Sequence, residues 1–431
     1  MYENILKGDG ARKLAEIGSS ALIVGVPTFK NGKTVARVVE TTARGLTSLT
    51  ALNPVIAVVD GGSSDNTLYA ANSVALPPGV RRVSGLYYGM VGKGSGVHAL
   101  LEMARAFRAR GVIVLEADLE SVEPNWVERL AAPVLSREFD YAAPYYTRQL
   151  PGGAVTDLIA YPLTRALYGV DVRQPMGGDF SLSGELAARL AGRDVWETDV
   201  AKHGVDIWLT TVVINEDVRG CQVRLGYKSD YSREPLLSLD PTFVQSVGTC
   251  FRMLEIYRRR WRESRIFRNF PLVGASNGHS PRSPARPEPA RVPAGSPSSA
   301  TAEAFAEAFR SGAKRHGRAW RSALAPSNLQ LVRALADHPA GPYQLNADLW
   351  TRIVFDFAVV YNKGEGDPDK VVAWLLPIYF ARIATLLKAS DGKLDKIEQM
   401  VQEQAQVFSQ RKDYLVQRWD SYVPWMFEGV R

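Results

Sequence analysis

One apolar run that ends in two carboxylates constrains the fold most strongly: Val112-Ile-Val-Leu-Glu-Ala-Asp-Leu119. A short apolar run rich in β-branched residues is typical of a buried strand in a parallel sheet. Open parallel sheets bind their ligands at the carboxyl ends of the strands, so Glu116 and Asp118 are expected at such a site. Carboxylate oxygens are the ligands that Mg²⁺ and Mn²⁺ prefer. A solvated acidic turn is the alternative, and these residues by themselves do not decide between the two.

Around this strand, apolar runs alternate with helical patterns. Strands are predicted over residues 21–26, where Pro27 ends the first one, and over 55–59 and 83–88, and helices over 34–52 and 97–110. Strands that alternate with helices indicate an α/β fold, here a mostly parallel, Rossmann-like sheet flanked by helices.

Composition excludes several classes of protein. A chain of 431 residues is long for one domain, so two folded parts are expected. Two cysteines, Cys221 and Cys250, are too few for a disulfide scaffold or a cysteine-rich zinc site. Because no signal peptide and no apolar run of about 20 residues is recognisable, we expect a cytoplasmic protein without a transmembrane segment.

The net charge of +7 suits an anionic ligand, but much of the basic excess lies in one run, residues 257–268. Such a run can bind nucleic acid or a membrane surface. We interpret it instead as a solvated helix face or a subunit contact. The expected partners are therefore small molecules and further copies of the chain in a homo-oligomer, and no nucleic acid.

Polar residues follow the other predicted strands. Asp60 begins Asp-Gly-Gly-Ser-Ser-Asp-Asn-Thr67, and Lys93 lies in a Gly-Lys-Gly-Ser-Gly loop that is expected to offer backbone N–H groups and an ammonium to phosphate. This loop lacks the spacing of a Walker A motif. Together these features predict a nucleoside-diphosphate site. In such a site an acid holds the base or ribose, a lysine lies near the phosphates and a metal ion bridges the phosphates.

In this order, the blocks VGVPTFKNGKT, VVDGGSSDNT, VGKGSG and VLEADL resemble a GT-A nucleotide-sugar glycosyltransferase of the family-2-like kind. Four later blocks, at residues 152–163, 174–179, 203–207 and 225–230, are similar to the glucosyl-3-phosphoglycerate, mannosylglycerate and glucosylglycerate synthases. The resemblance covers residues 20–240. It implies a GT-A domain, a divalent metal, Mg²⁺ or Mn²⁺, and a UDP- or GDP-hexose donor.

The resemblance also implies roles for individual residues. The donor-binding residues are Pro27, Thr28, Phe29, Asp60, Gly61, Lys93, Glu116 and Ala117. The metal ligands are Asp118, Asp230 and Glu116, and Asp230 stands where the family has a histidine. The catalytic residues are Lys93, Asp179 and Asp206, and the acceptor-binding residues are Gly153, Thr156 and Gly178. Without the resemblance, Gly178 can also be interpreted as part of a plain turn, Asp206 as a structural acid and Asp230 as an exposed loop acid.

One residue that differs from the family pattern affects the predicted acceptor. Where the phosphoglycerate enzymes carry an arginine, this chain has Ala154. Loss of a guanidinium removes a bidentate phosphate contact, which favours D-glycerate or another small hydroxy acid, although Arg148 or Lys202 could compensate. We therefore expect transfer of glucose or mannose to D-glycerate, with retention implied by the resemblance alone. The alternatives are a 3-phosphoglycerate acceptor, a nucleotidyltransferase and a non-catalytic sugar-nucleotide-binding protein.

The second half of the chain is predicted to be helical. A GT-A domain over residues 1–270 is expected to lead through a Pro- and Ser-rich linker, 271–300, into a helical domain over 301–431. Asp367 and Pro368 predict the start of one of its helices, with Asp367 as the N-cap and Pro368 at the first helical position.

Overall fold

A computed structural model describes residues 4–231, 240–264, 267–274, 299–337 and 345–423. Most of the predicted linker, residues 275–298, lies outside the described residues. The described strands are, in chain order, β1 (Leu22–Thr28), β2 (Val55–Asp60), β3 (Arg81–Leu86), β4 (Gly111–Val114), β5 (Tyr141–Thr147), β6 (Val170–Asp171), β7 (Phe180–Ser183), β8 (Gly220–Tyr227), β9 (Arg268–Asn269) and β10 (Leu272–Val273).

The described α-helices are α1 (Asp9–Ile17), α2 (Val35–Gly45), α3 (Thr67–Ser73), α4 (Lys93–Phe107), α5 (Asn125–Leu135), α6 (Tyr161–Tyr168), α7 (Gly184–Ala191), α8 (Val205–Asn215), α9 (Asp240–Ile256), α10 (Arg258–Glu263), α11 (Ser299–His316), α12 (Trp320–Ala323), α13 (Pro326–Asp337), α14 (Ala347–Lys363), α15 (Pro368–Ser390), α16 (Leu394–Gln410) and α17 (Lys412–Ser421). Short 3₁₀ segments cover Thr47–Leu52 and Asp199–Ala201, and a π-helical turn covers Thr156–Ala160.

Within the described residues, two compact units are formed. The first takes its residues from segments 1–147, 172–233 and 269–292, and the second from 148–171, 234–268 and 293–431. The second unit therefore includes residues 148–171 and 234–268, which the sequence division had grouped with the first 270 residues. Each unit is therefore made of three segments that are separated in the sequence.

The first unit is built on an eight-stranded sheet in the order β10-β8-β5-β7-β4-β1-β2-β3. Only β7 runs antiparallel to its two neighbours, β4 and β5, and the other pairs of neighbouring strands are parallel. Val24 and Val26 of β1 are buried in one apolar cluster with Val38 of α2 and Trp126 of α5. The predicted mostly parallel sheet flanked by helices, followed by a helical C-terminal part, is confirmed.

Among the predicted boundaries that were wrong in this unit, two lie beside the site. Strand β1 does not end at Pro27 but continues to Thr28, and Pro27 lies opposite Val59 of β2. On the other side of β1, pairing with β4 ends at Gly25 opposite Val114, so the missing N–H of Pro27 breaks no bond of that ladder. Helix α4 begins at Lys93 rather than near residue 97, so the glycine-rich stretch forms its first turn.

The pairing of β7 with β4 places the first elements of the site. Because Val114 lies opposite Phe180, the residue before β7, Asp179, reaches the chain that follows β4. The backbone N–H of Glu116 donates to Asp179 Oδ1 over 2.9 Å. The amino end of β7 therefore shares one edge of the sheet with the carboxyl ends of the parallel strands.

The second unit is helical, and its longest described helix is α15. This helix packs against α9, α11, α14 and α16. By length and composition α15 could cross a membrane, but 72% of its most apolar window is buried inside the protein, as it is in the core helix of a globular unit. Its predicted start is confirmed, because the Asp367 side chain accepts a bond from the N–H of Asp369 and Pro368 occupies the first turn.

A buried carboxylate joins the helices of this unit. Asp356 of α14 is fully buried. Its oxygens accept bonds from the Asn328 side chain at 2.7 Å, the Tyr414 hydroxyl at 2.7 Å and Arg418 Nε at 3.1 Å. Removal of one partner from a buried ion pair is costly, because the remaining charge stays buried without compensation.

We expect Asp356→Ala to lower the stability of the helical unit by about 3 kcal/mol or more, a fall in the unfolding midpoint of at least about 5 °C. Thermal unfolding of the full chain, followed by circular dichroism, measures this shift. Asp395→Ala removes an exposed acid of the same unit and is the matched control. Equal shifts for the two variants would show that the Asp356 network contributes little.

Candidate active site

Three predicted metal ligands come together at the edge of the sheet. Glu116 and Asp118 follow β4, Asp230 follows β8, and each offers an oxygen within 4.8 Å of the other two. A β-bridge between Leu119 and Asp230 joins the two segments, and the N–H of Tyr231 donates to the carbonyl of Asp118 over 2.8 Å. The sequence-based placement of these three residues at one site agrees with this geometry.

Two lysine side chains enter the same cluster. Lys93 Nζ donates to Glu116 Oε1 and to Asp206 Oδ2, both at 2.7 Å. Lys228 Nζ, whose side chain is fully buried, lies 2.5 Å from Glu116 Oε2 and 2.6 Å from Asp179 Oδ2. The predicted catalytic residues Lys93, Asp179 and Asp206 are thus connected through Glu116.

Lys228 was not among the predicted site residues. It follows β8 directly and also donates to the carbonyl of Gly177 at 2.9 Å. Its ammonium lies 5.2 Å from the centre of the Tyr146 ring. Its position in the sequence could have indicated a role in the site, because Lys228 follows an apolar strand and lies two residues before Asp230.

The two lysines compensate the negative charge of Glu116 more fully than that of Asp118. Burial alone raises the pKa of Glu116, but the ammonium groups of Lys228 and Lys93 outweigh burial and hold this pKa well below its usual range. Burial, together with the neighbouring carboxylates of Glu116 and Asp230, raises the pKa of Asp118 to about 7. Asp118 therefore has less compensating positive charge beside it than Glu116 has.

This arrangement fits a divalent cation. Carboxylate oxygens are hard ligands that suit Mg²⁺ or Mn²⁺. Five carboxylates, those of Glu116, Asp118, Asp179, Asp206 and Asp230, face two ammonium groups in this cluster, which leaves three formal negative charges. A cation beside Asp118 would offset the repulsion that raises the pKa of that side chain.

Two of the predicted donor-binding residues, Thr28 and Asp60, bond to each other, and Asp60 also bonds to nearby backbone N–H groups. The hydroxyl of Thr28 donates to Asp60 Oδ1 at 2.9 Å. The other Asp60 oxygen accepts from the N–H groups of Gly62, at 3.0 Å, and Ser63, at 2.8 Å. Both Thr28 and Asp60 are buried, so in this structure they shape the turn after β2.

Two exposed apolar side chains, those of Phe29 and Val91, lie beside this turn. A Cβ added to Gly61 would lie 3.3 Å from both Phe29 and Val91, and the side chains of these two residues are 44% and 57% exposed. Pro27 is partly exposed, whereas Ala117 is buried in the core cluster. Of the predicted donor residues outside the charged cluster, Phe29 is exposed, and Pro27 and Gly61 are partly exposed.

The glycine-rich stretch around Lys93 differs from its prediction. Two of its amides already have partners within the chain: the N–H of Gly94 donates to the carbonyl of Lys202 at 2.9 Å, and that of Gly92 to the Tyr87 hydroxyl at 3.0 Å. A Cβ on Gly94 would lie 1.8 Å from the carbonyl oxygen of Val200. These glycines allow the first turn of α4 to pack closely on residues 200–202, and the predicted phosphate contact is left to the Lys93 ammonium.

The predicted acceptor residues fall in both units. Gly178 belongs to the first unit, where a Cβ would lie 2.3 Å from the carboxyl carbon of Glu116. Gly153 and Thr156 belong to the second unit. There, Ala154 is buried, and the side chain of Arg148 lies against Gly153, with Nε 3.4 Å from the position of an added Cβ.

The known proteins that this chain resembles are glycosyltransferases. Residues 23–153 match the family model described as glycosyl transferase family 2. The chain carries a family 2 glycosyltransferase domain. A curated glucosyl-3-phosphoglycerate synthase from Petrotoga mobilis is 25% identical over 264 residues, which cover 57% of this chain and 77% of the relative. The prediction of an enzyme, a nucleotide-sugar hexosyltransferase, is confirmed by these matches.

Solved structures similar to this glycosyltransferase include glucosyl-3-phosphoglycerate synthase from Mycobacterium tuberculosis. Its complex with Mg²⁺ and uridine diphosphate is 25% identical, has a TM-score of 0.44 and covers 56% of this chain and 83% of that chain. A second complex, with Mn²⁺, UDP-glucose and phosphoglyceric acid, is 26% identical, has a TM-score of 0.45 and covers 56% and 84%.

The contact between Gly178 and Glu116 yields a sharp prediction. Gly178 and Gly226 have the same φ of 86°, but a Cβ at Gly226 would meet nothing within 4 Å. Both Gly178→Ala and Gly226→Ala are expected to cost about 1–3 kcal/mol of backbone strain. Only Gly178→Ala also pushes against the Glu116 carboxylate, so only this variant is expected to lose glycosyltransferase activity by at least about tenfold, or about 1.4 kcal/mol.

Activity is measured as release of nucleoside diphosphate, and the thermal unfolding of each variant reports its strain. Similar activity losses in both variants would mean that strain, and not displacement of Glu116, is responsible. Unchanged activity in Gly178→Ala would contradict the role of this contact.

Proposed function

We propose that this glycosyltransferase moves a glucose or mannose residue from a UDP- or GDP-hexose to the hydroxyl group of D-glycerate or a closely related hydroxy acid. The observation that carries the proposal is the cluster of Glu116, Asp118 and Asp230 at the carboxyl ends of β4 and β8, with two lysines inside it. The proposed cofactor is Mg²⁺ or Mn²⁺. When bound, such an ion neutralises the charge that develops on the leaving diphosphate.

The residues of the chain have distinct proposed tasks. Asp118 and Asp230 would hold the ion. Lys93, buried and charged between Glu116 and Asp206, would add positive charge at the phosphates of the donor, where charge develops during transfer. Positive groups fixed in a buried site stabilise this charge without reorganisation during the reaction.

Asp206 is the best supported residue for binding a sugar hydroxyl. Its Oδ2 bonds to Lys93, whereas its buried Oδ1 accepts no hydrogen bond within the described part of the chain. A buried carboxylate oxygen without a donor is costly, and a hydroxyl of the donor sugar or of the acceptor would satisfy it. We propose that Asp206 orients the hexose.

Retention of the anomeric configuration is part of the proposal. Glu116 and Asp179 both accept bonds from lysine ammonium groups. Such pairing lowers the nucleophilicity of a carboxylate, which disfavours a covalent glycosyl-enzyme intermediate. Front-side displacement, in which the leaving phosphate accepts the proton of the attacking hydroxyl, is the mechanism that we propose.

The acceptor has two candidates. Ala154, buried and without a polar side chain, favours D-glycerate, because the guanidinium expected of a phosphoglycerate enzyme is absent. The name of the curated relative, glucosyl-3-phosphoglycerate synthase, and the position of Arg148 against Gly153 favour 3-phosphoglycerate. We propose glycerate as the preferred acceptor, with 3-phosphoglycerate as the second candidate.

Cytoplasmic location and a homo-oligomeric state complete the proposal. Both are expectations from the sequence, and the basic helix α10 suits a subunit contact. Light scattering during size-exclusion chromatography measures the oligomeric state directly.

The reaction class is tested by nucleoside-diphosphate release from UDP- and GDP-hexoses with Mg²⁺ or Mn²⁺. We expect release that depends on both acceptor and metal, and a loss of at least about 100-fold in Asp118→Asn, since the ion provides several kcal/mol of stabilisation. Asp194→Asn changes an exposed acid of the same unit and should keep full activity. Release of pyrophosphate instead would indicate a nucleotidyltransferase.

The acceptor is tested by comparing kcat/KM for glycerate and 3-phosphoglycerate in the wild type and in Arg148→Ala. We expect glycerate to be preferred by at least about tenfold, and Arg148→Ala to leave this ratio unchanged within about threefold. A preference for 3-phosphoglycerate that Arg148→Ala abolishes would establish the second candidate, with Arg148 as the phosphate ligand.

A further inference from the structure

The ion pair between Lys93 and Asp206 joins two helices at the site. Lys93 is the first residue of α4, and Asp206 is the second residue of α8. Nζ of Lys93 and Oδ2 of Asp206 lie 2.7 Å apart. This short contact exists only while the first turns of the two helices keep their spacing. The residues that fix this spacing therefore also fix the position of the Lys93 ammonium.

Trp196, in the segment between α7 and α8, contacts both of these helices with its ring. The ring stacks on that of His98 in α4, with centroids 4.3 Å apart and planes 8° from parallel. It also meets the buried ring of Trp208 in α8 edge-on, with centroids 5.3 Å apart and an angle of 70° between the planes. Stacked and edge-to-face ring pairs add stability beyond the area that they bury. One indole thus bridges the helix of Lys93 and the helix of Asp206.

A backbone carbonyl fixes the orientation of two of these rings. The indole N–H of Trp196 donates to the carbonyl of Ala191, the last residue of α7, over 3.2 Å. His98 Nε2 lies 3.1 Å from the same oxygen and donates to it, because a carbonyl oxygen only accepts. The last carbonyl groups of a helix have no partner within the helix. The two rings are therefore held by hydrogen bonds to the end of α7 as well as by their stacking.

The segment that carries Trp196 also packs on the first turn of α4. The N–H of Gly94 donates to the carbonyl of Lys202 over 2.9 Å. A Cβ on Gly94 would lie 1.8 Å from the carbonyl oxygen of Val200, so no side chain fits between the two stretches of backbone. A displacement of residues 200–202 is therefore transmitted to the turn that begins with Lys93.

We infer that Trp196 is a positioning residue of this glycosyltransferase, which sets the spacing of α4 and α8 and thereby holds Lys93 against Asp206. The inference rests on the proposed function, in which Lys93 adds positive charge at the phosphates of the donor. Trp196 acts only through the groups that it holds. Its loss is expected to slow transfer, because a displacement of about 1 Å at a reacting group can cost on the order of 100-fold in rate.

The position of Lys93 can be observed without any substrate. Its ammonium, largely buried and paired with two acids, is expected to give a slowly exchanging ¹⁵N signal in nuclear magnetic resonance of the full chain, assigned by its loss in Lys93→Met. We expect Trp196→Ala to shift or remove this signal and Trp196→Phe, which keeps a ring, to retain it. His98→Ala removes the other ring of the stack and is expected to act like Trp196→Ala.

Phe139→Ala is the matched control, because it removes a partly buried ring that packs on the core of the same unit before β5. This control should leave the Lys93 signal in place. An unchanged signal in both Trp196→Ala and His98→Ala would overturn the inference, whatever reaction the protein catalyses.

Activity gives the second measurement, as kcat/KM from release of nucleoside diphosphate. We expect Trp196→Ala to lose at least about tenfold, Trp196→Phe to regain most of that loss, and Phe139→Ala to stay within about threefold of wild type. Added to Lys93→Met, Trp196→Ala should cost less than about threefold, because both substitutions act on one charge.

The outcomes separate the two proposals. Equal losses from Trp196→Ala in the wild-type and Lys93→Met backgrounds would overturn the inference while leaving the proposed function intact. No release from any UDP- or GDP-hexose by the wild type would instead contradict the proposed function, and the ¹⁵N signal would still decide whether Trp196 positions Lys93.

Discussion

The site depends on the ion pairs that two buried lysines make with Glu116. Unpaired, the carboxylates at this edge of the sheet would repel one another in surroundings with little water. Lys93 and Lys228 offset part of that repulsion around Glu116, Asp179 and Asp206. Repulsion remains at Asp118, where a divalent cation would offset it.

The topology of the sheet brings these groups together. Parallel strands β4 and β8 end at the same edge, and the single antiparallel strand, β7, begins there, so that Asp179 meets the residues after β4. Helices α4 and α8 add Lys93 and Asp206 from their first turns. An open α/β sheet thus collects, at one edge, charged residues that are more than 100 positions apart in the chain.

Sequence patterns predicted the features that depend on local chemistry. The end of β4 at the acidic residues and the Asp367 cap both follow from short-range preferences, and both were correct. The start of α4 was missed because glycines are poor helix formers, and here a close approach of Gly94 to Val200 outweighs that preference. Lys228 was missed because its partners, Glu116 and Asp179, are distant in the chain, and no local pattern indicates an ion pair of that kind.

The central claim is that this carboxylate cluster is where a metal and a donor diphosphate bind. A crystal structure of the full chain with Mn²⁺ and uridine or guanosine diphosphate, with anomalous scattering to locate the manganese, tests it most directly. The account predicts an anomalous peak bonded to Asp118, Asp230 and the diphosphate, with Lys93 still on Glu116. A diphosphate bound elsewhere, or manganese that does not touch Asp118, would contradict it.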